Sequence, residues 1–173
     1  MTTVSWAESG DREESDERAG VNKSLHSSPH SEASTWLLGA KAVQLNVFPE
    51  EGDGASGGGA GLFVERSVVP GWLEVELSVS VVAIESETLL PVDVLFKKPF
   101  HFGPFCPYIA LGPTVSIVFE DGTRAFAGGV AVAGFYLWLG DLWGFDVEVD
   151  YALLSEEGLQ QELTFAAGPT LRF

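Results

Sequence analysis

Apolar and polar side chains alternate along the segment from Leu159 to Phe173, where the printed sequence ends on an aromatic residue. The apolar face carries Leu163, Phe165, Ala167, Pro169, Leu171 and Phe173, and the second face carries Gln160, Glu162, Thr164, Ala166, Gly168, Thr170 and Arg172. Successive side chains of a β-strand point to opposite faces. The period of two therefore predicts a strand with one apolar and one mainly polar face.

The same alternation recurs in seven earlier segments. The eight predicted strands are Trp36–Phe48, Leu62–Val69, Trp72–Ile84, Leu89–Lys97, Tyr108–Glu120, Ala125–Leu139, Trp143–Leu154 and Leu159–Phe173. Turn signals such as Pro70-Gly71 and Asp121-Gly122 separate most of them. The longest connection is predicted around Glu50–Gly61, which is rich in glycine and acidic residues. This pattern predicts an all-β fold, an eight-stranded antiparallel up-and-down β-barrel.

The segment Met1–Thr35 differs in composition from the predicted barrel domain at 36–173. It is rich in Ser, Glu, Asp and Arg, and it contains too few apolar residues to offset the entropy cost of ordering. We predict that it is disordered. No secretory signal peptide is visible in it, because it lacks an apolar core.

Aromatic residues are sorted to one end of the predicted barrel. Odd-numbered strands begin at the end where even-numbered strands finish, and this end collects the four tryptophans that follow residue 35: Trp36, Trp72, Trp138 and Trp143. Such a band is typical of the aromatic girdle of a transmembrane barrel. A soluble lipocalin-like barrel that binds a small apolar ligand, with its apolar face inward, is the alternative.

These features resemble the small eight-stranded bacterial outer-membrane β-barrels of the OmpA/OmpX type. The resemblance covers roughly residues 36–173. It implies an outer-membrane location, a monomer in the lipid bilayer, and a role for Phe173 as a signal to the barrel-assembly machinery. It also implies that both termini face the periplasm and that the Glu50–Gly61 connection faces the exterior.

The charge of the chain restricts its partners. The formal net charge is −16, and residues 36–173 contain 18 acidic and 6 basic side chains. Such a surface repels polyanions, so neither nucleic acid nor anionic lipid is expected as a charge-driven partner. Cys106 is the single cysteine, which leaves no intramolecular disulfide and no zinc-binding spacing. No cofactor is predicted.

On the transmembrane interpretation, a set of charged side chains points into the lumen: Glu74, Glu76, Asp93, Lys97, Asp146, Glu148, Asp150, Glu162 and Arg172. Buried charges must be paired or neutralised, so the set predicts a network that plugs the lumen. A narrow cation-selective pore, or a cation site among Asp146, Glu148 and Asp150, is the alternative. Lys41 shares a face with Val43 and Leu45, which we interpret as a bulge or a rim position.

Catalysis is not predicted. The lipid-modifying enzymes among small outer-membrane barrels need a His and a Ser near the membrane. Outside Met1–Thr35 the chain has one histidine, His101, and no serine lies within five positions of it. We therefore predict a structural or binding protein.

Overall fold

The structure is a computed structural model, and it describes residues 35–49, 54–85, 87–120, 122–155 and 159–173. The predicted disordered tail lies outside these residues, apart from Thr35. The eight strands are β1 (Trp36–Pro49), β2 (Ala55–Val69), β3 (Leu73–Ile84), β4 (Glu87–Pro99), β5 (Phe105–Phe119), β6 (Thr123–Trp138), β7 (Trp143–Ser155) and β8 (Leu159–Arg172). Each strand pairs with its neighbours in the sequence, and all pairs are antiparallel.

Pairing between the first and last strands closes the sheet into a barrel. β1 and β8 are antiparallel, with Leu37 opposite Arg172 and Val43 opposite Ala166. Beside this register the Trp36 amide donates to the Phe173 carbonyl at 2.9 Å, and the Phe173 amide donates to the Trp36 carbonyl at 3.0 Å. Closure satisfies the edge strands, which is what a sheet surrounded by lipid requires. The predicted eight-stranded antiparallel barrel is confirmed.

The prediction of a long loop at Glu50–Gly61 is wrong, because β2 begins at Ala55. The glycines of this segment allow close contact with the next strand. A Cβ atom on Gly59 would collide with the carbonyl oxygen of Val81 on β3, and one on Gly57 would collide with that of Ala83. A glycine-rich run has no alternating side chains, so the period-two signal is invisible in a segment that nonetheless pairs as a strand.

The connections between strands are short at both ends of the barrel. We call the end where β1 begins and β8 ends the near end, and its connections are 70–72, 100–104 and 139–142. The opposite end, the far end, has connections 50–54, 85–86, 120–122 and 156–158. None of these connections between the described strands exceeds five residues. Loops that could form a large binding surface are therefore lacking among them.

The outer wall of the barrel is apolar. On β5 the outward side chains are Phe105, Pro107, Ile109, Leu111, Pro113, Val115, Ile117 and Phe119, whereas the inward ones are Cys106, Tyr108, Ala110, Gly112, Thr114, Ser116 and Val118. β7 likewise exposes Val149 and buries Glu148. A soluble lipocalin-like barrel requires the reverse arrangement, and this wall contradicts it.

Two apolar clusters pack inside the barrel. One lies toward the far end and contains Val43, Leu45, Val82, Ile84, Leu89, Val118 and Ala166. The other contains Leu37, Phe63, Leu95, Cys106, Tyr108, Ala110, Val130, Val132, Tyr136 and Ala152. Val43 and Leu45 therefore face inward, and Lys41, which shares their face, is buried with them. The interpretation of Lys41 as a bulge or rim residue is wrong.

In the parts of the chain that the structure describes, no helix is long and apolar enough to cross a membrane.

Candidate functional site in the barrel lumen

Lys97 lies inside the barrel and has no exposed surface. Its Nζ atom forms ion pairs with Glu65 on β2, at 3.1 Å, and with Glu76 on β3. It also donates a hydrogen bond of 2.8 Å to the Tyr136 hydroxyl on β6, which in turn donates to Glu65 Oε2 at 2.7 Å. A charge removed from water is costly unless it is paired and hydrogen-bonded. The Lys97 ammonium meets this condition with partners from three strands.

Lys41 is the second buried cation. Its Nζ atom lies 2.6 Å from Glu148 Oε1, 3.0 Å from Asp146 Oδ2 and 3.4 Å from Glu76 Oε1. The hydroxyl of Tyr108 on β5 lies 2.8 Å from Asp146 Oδ1 and 2.8 Å from Glu148 Oε2. The two β7 carboxylates are thus held by one lysine and one tyrosine.

Glu76 joins the two lysines, because each of its oxygens faces a different ammonium group. We call the resulting set the lysine network: Lys41, Glu65, Glu76, Lys97, Tyr108, Tyr136, Asp146 and Glu148. Its members come from β1 to β7, so contacts cross the lumen from nearly every wall. Four carboxylates face two lysines, which leaves the network with an excess of negative charge before any proton is bound.

Aromatic rings surround the two ammonium groups. The Phe63 ring centroid is 4.2 Å from Lys41 Nζ and 5.6 Å from Lys97 Nζ. Lys97 Nζ is also 4.1 Å from the Tyr108 ring, whose centroid lies 5.0 Å from that of Tyr136. Cation–π contacts of this kind strengthen in a desolvated site. The Phe63 ring therefore lies within cation–π distance of both lysines.

Three further carboxylates lie inside the barrel beyond the lysine network. Asp93 accepts a hydrogen bond of 3.0 Å from the Ser78 hydroxyl, and Glu162 accepts one of 2.8 Å from the Gln160 side-chain amide. Asp150 Oδ1 is buried without a hydrogen-bond partner among the described residues. None of the three forms a salt bridge with a residue that the structure describes. In this upper acidic group, Asp93, Asp150 and Glu162, neutral donors thus hold the first and the last carboxylate.

The near-end mouth of the lumen contains a different pairing. The Arg172 guanidinium lies 3.6 Å from the centroid of the Trp138 ring, and Trp138 packs against the inner cluster that contains Tyr136. Trp138 was predicted as a girdle residue, but it shares the inward parity of Tyr136 and is partly buried. The other predicted girdle residues, Trp36, Trp72 and Trp143, are exposed on the outside.

The structure thus divides the predicted lumen residues into three places. Glu76, Lys97, Asp146 and Glu148 lie in the lysine network; Asp93, Asp150 and Glu162 form the upper acidic group; and Glu74 and Arg172 lie toward the near end. Sequence reasoning missed Lys41, Glu65, Tyr108, Tyr136 and Phe63. The alternation Phe63, Glu65, Ser67 on β2 was a usable signal for Glu65. For Lys41, its position two residues before Val43 was the corresponding signal.

The carboxylates do not gather into a metal-binding group. Among the described residues no three His, Cys, Asp or Glu side chains are arranged so that they could hold a metal ion. The carboxylates and lysines of the lumen can carry fixed charges and exchange protons.

The fold is similar to three solved structures of low sequence identity. Ail, the attachment invasion locus protein of Yersinia pestis, matches with a TM-score of 0.64 and 14% identity over 82% of this chain and 100% of its own. Neisserial surface protein A matches with a TM-score of 0.69 and 12% identity over 82% and 100%. The N-terminal β-barrel domain of Pseudomonas aeruginosa OprF matches with a TM-score of 0.56 and 15% identity over 79% and 97%.

Ail is also known in complex with the heparin analogue sucrose octasulfate. No protein-family model matches the chain, and no curated protein sequence matches it. At these identities the comparisons establish the fold. The chain therefore has the transmembrane fold of the small eight-stranded outer-membrane β-barrels, as its strand pattern predicted.

Proposed function

We propose that this chain is a bacterial outer-membrane protein with a structural or binding role, whose lumen is plugged by the lysine network. The outer-membrane location is supported by the apolar outer wall and by the fold shared with Ail and Neisserial surface protein A. The observation that carries the plug is the contact of Lys97 and Lys41 with carboxylates from several strands at once.

The size of the barrel supports a closed lumen. Eight strands enclose an interior that side chains just fill. Toward the far end the side chains of Leu45, Val82, Ile84 and Leu89 are all buried, and the last three lie beyond Asp93 on β3 and β4. A hydrated ion would have to pass these apolar side chains and also separate the ion pairs. We therefore expect little or no steady conductance.

The binding partner proposed here differs from the ligand known for Ail. A heparin analogue is a polyanion, and the far end of this barrel carries Glu85, Glu87 and Glu120 with a single described cation, Arg124, paired to the last two. Repulsion between like charges makes a polyanion a poor ligand at this end. A cationic or neutral partner is the better fit.

Assembly is proposed to follow the route implied by the resemblance. Phe173 acts as the signal for the barrel-assembly machinery, and the protein functions as a monomer without catalytic activity. The backbone bonds between Phe173 and Trp36 support a role for this residue at the closing seam.

A narrow cation path is the second candidate. Two observations favour it: the excess of carboxylates over lysines in the lysine network, and the buried Asp150 oxygen without a hydrogen-bond partner among the described residues. Both would also suit a chain of proton-binding groups. This candidate requires the buried apolar side chains near the far end, such as Val82 and Leu89, to move apart.

Conductance in a planar bilayer distinguishes the two candidates. We expect no steady current from the parent protein and occasional current from Lys97→Met, because loss of this lysine frees Glu65 and Glu76. Lys98→Met is the matched control, since this neighbouring lysine faces outward. A steady cation-selective current from the parent would exclude the plug and establish the cation path.

A further inference from the structure

The negative charge of the barrel is segregated. Of the 18 acidic residues in 36–173, eight face the lumen and nine lie, by sequence, in or beside the far-end connections. Among the described acidic residues, only Asp141 lies on the outside of the near end. The large negative net charge of the chain is therefore not found on the described near-end surface.

Two outward-facing cations lie at the near end. The Arg66 guanidinium lies 5.1 Å from the ring centroid of Trp36, its partner across β1 and β2. The Lys98 ammonium lies 5.6 Å from the ring centroid of Trp72 and donates a hydrogen bond of 3.1 Å to the Gly71 carbonyl. Each cation is thus held beside an exposed indole at the rim of the barrel.

Apolar side chains continue past the strand ends into the near-end connections. Phe102 is 66% exposed and Leu139 is 68% exposed, and both lie in turns rather than in strands. Trp72 and Leu142 are exposed in the same way in their own turns. All three near-end turns therefore expose large apolar side chains, whereas turns that face water are usually polar.

We propose that the near end of the barrel docks in the head-group layer of an anionic phospholipid leaflet, where Arg66 and Lys98 bind lipid phosphates. Indole rings prefer the interface, and basic side chains extend from an apolar wall to the charged head groups. The apolar turns are continuous with the lipid-facing wall, which favours lipid over a protein cap. This inference rests on the proposed membrane location but not on the plugged lumen.

The proposal changes the expectation drawn from composition. Residues 36–173 carry 18 acidic and 6 basic side chains, which indicates repulsion of anionic lipid, yet 17 of these 18 acidic residues face the lumen or lie, by sequence, in or beside the far-end connections. Attraction to an anionic surface depends on the charges within about one Debye length of it, roughly 8 Å at physiological salt. Among the described residues, the outward-facing charges at the near end are Arg66, Lys98 and Asp141, so cations are in excess there.

Lipid selectivity of the full chain tests the proposal. The protein, carrying Trp6→Phe, is reconstituted in mixed phosphatidylcholine and phosphatidylglycerol vesicles in which one lipid at a time is brominated. Tryptophan quenching then yields the relative binding constant. One cation near an anionic surface raises the binding constant for anionic lipid by a factor of about 5. We therefore expect a clear preference for phosphatidylglycerol in the parent and a relative binding constant near unity in Arg66→Gln/Lys98→Gln.

Arg124→Gln is the control, because it removes a cation from the far end. It should keep the preference, whereas the preference of the parent should shrink in high salt. A parent without preference, or a double variant that keeps it, would overturn the proposal. Heat-dependent gel mobility verifies insertion in each preparation, and failure of the parent to insert would refute the proposed function itself.

A second measurement tests the position of the turns. In a Cys106→Ala chain, Phe102→Cys carries an environment-sensitive label, and Gly122→Cys at the far end serves for comparison. We expect quenching of the label at 102 by head-group nitroxide lipids and quenching of the label at 122 by aqueous iodide. Stronger quenching of the label at 102 by iodide than by the nitroxide lipids would place this turn in water. In cells the turn would then contact water or another protein, which would contradict the lipid contact.

Discussion

Lys41 Nζ and Glu148 Oε1 lie 2.6 Å apart across the barrel lumen, although 107 residues separate them in the chain. Both side chains are buried, and both belong to the lysine network. The closed sheet brings β1 and β7 to opposite sides of β8, so the contact exists only when the barrel is complete. The Lys41–Glu148 contact therefore links closure of the sheet to neutralisation of the charges in the lumen.

Replacement of Lys41 by Met should destabilise the barrel strongly. Removing one member of a buried ion pair leaves uncompensated charge and typically costs about 3–5 kcal/mol. Equilibrium urea unfolding in phosphatidylcholine vesicles, which contain no anionic lipid, measures the free energy of unfolding, with Lys98→Met as control. The gap between parent and Lys41→Met should narrow at acidic pH, where the freed carboxylates protonate. A Lys41→Met variant as stable as Lys98→Met would show that the pairing contributes nothing.

The two faces of β7 should respond differently to substitution. Val149 is exposed on the outer wall, so Val149→Arg places a charge against hydrocarbon and should cost about 2–4 kcal/mol near the bilayer midplane. Asp150→Asn should cost far less, because Asp150 lies within the polar lumen and has an oxygen without a hydrogen-bond partner among the described residues. Unfolding in vesicles measures both variants. Equal costs for the two substitutions would contradict the assignment of faces.

The glycines of β2 provide a test of the extended strand. Gly59→Ala should destabilise the barrel by about 1–3 kcal/mol, because its Cβ would meet the Val81 carbonyl oxygen and force the strands apart. Gly58→Ala is the matched control, since its Cβ would have only the Val43 carbonyl oxygen nearby, at 3.8 Å. If both variants have the stability of the parent, residues 58–61 do not pair with β3 as the register indicates.

Deletion of Phe173 should impair assembly more than final stability. The residue contributes two backbone hydrogen bonds with Trp36 at the closing seam, a small part of the barrel's ladder. We expect a reduced inserted fraction in cells and largely normal refolding in detergent, measured by heat-dependent gel mobility in both cases. Normal insertion in cells without Phe173 would remove its role as an assembly signal.

The sequence alone determined the number of strands, their order and which face of most strands meets lipid. β7 illustrates why: its apolar and charged residues alternate from Phe145 to Tyr151, and a period of two is a local property of the chain. The same alternation assigned Glu76, Lys97, Asp146 and Glu148 to the lumen.

Only the tertiary structure decided how these residues combine. The inward parity of Lys41 was readable, but its partners lie on β3 and β7, and distances between strands depend on the tilt and stagger of the closed barrel. The start of β2 at Ala55 depends on pairing with Val47 of β1 and on contact between the following glycines and the β3 backbone, which leave no mark on side-chain alternation. The separation of negative charge from the near end is likewise a property of the assembled wall, because composition counts charges without their positions.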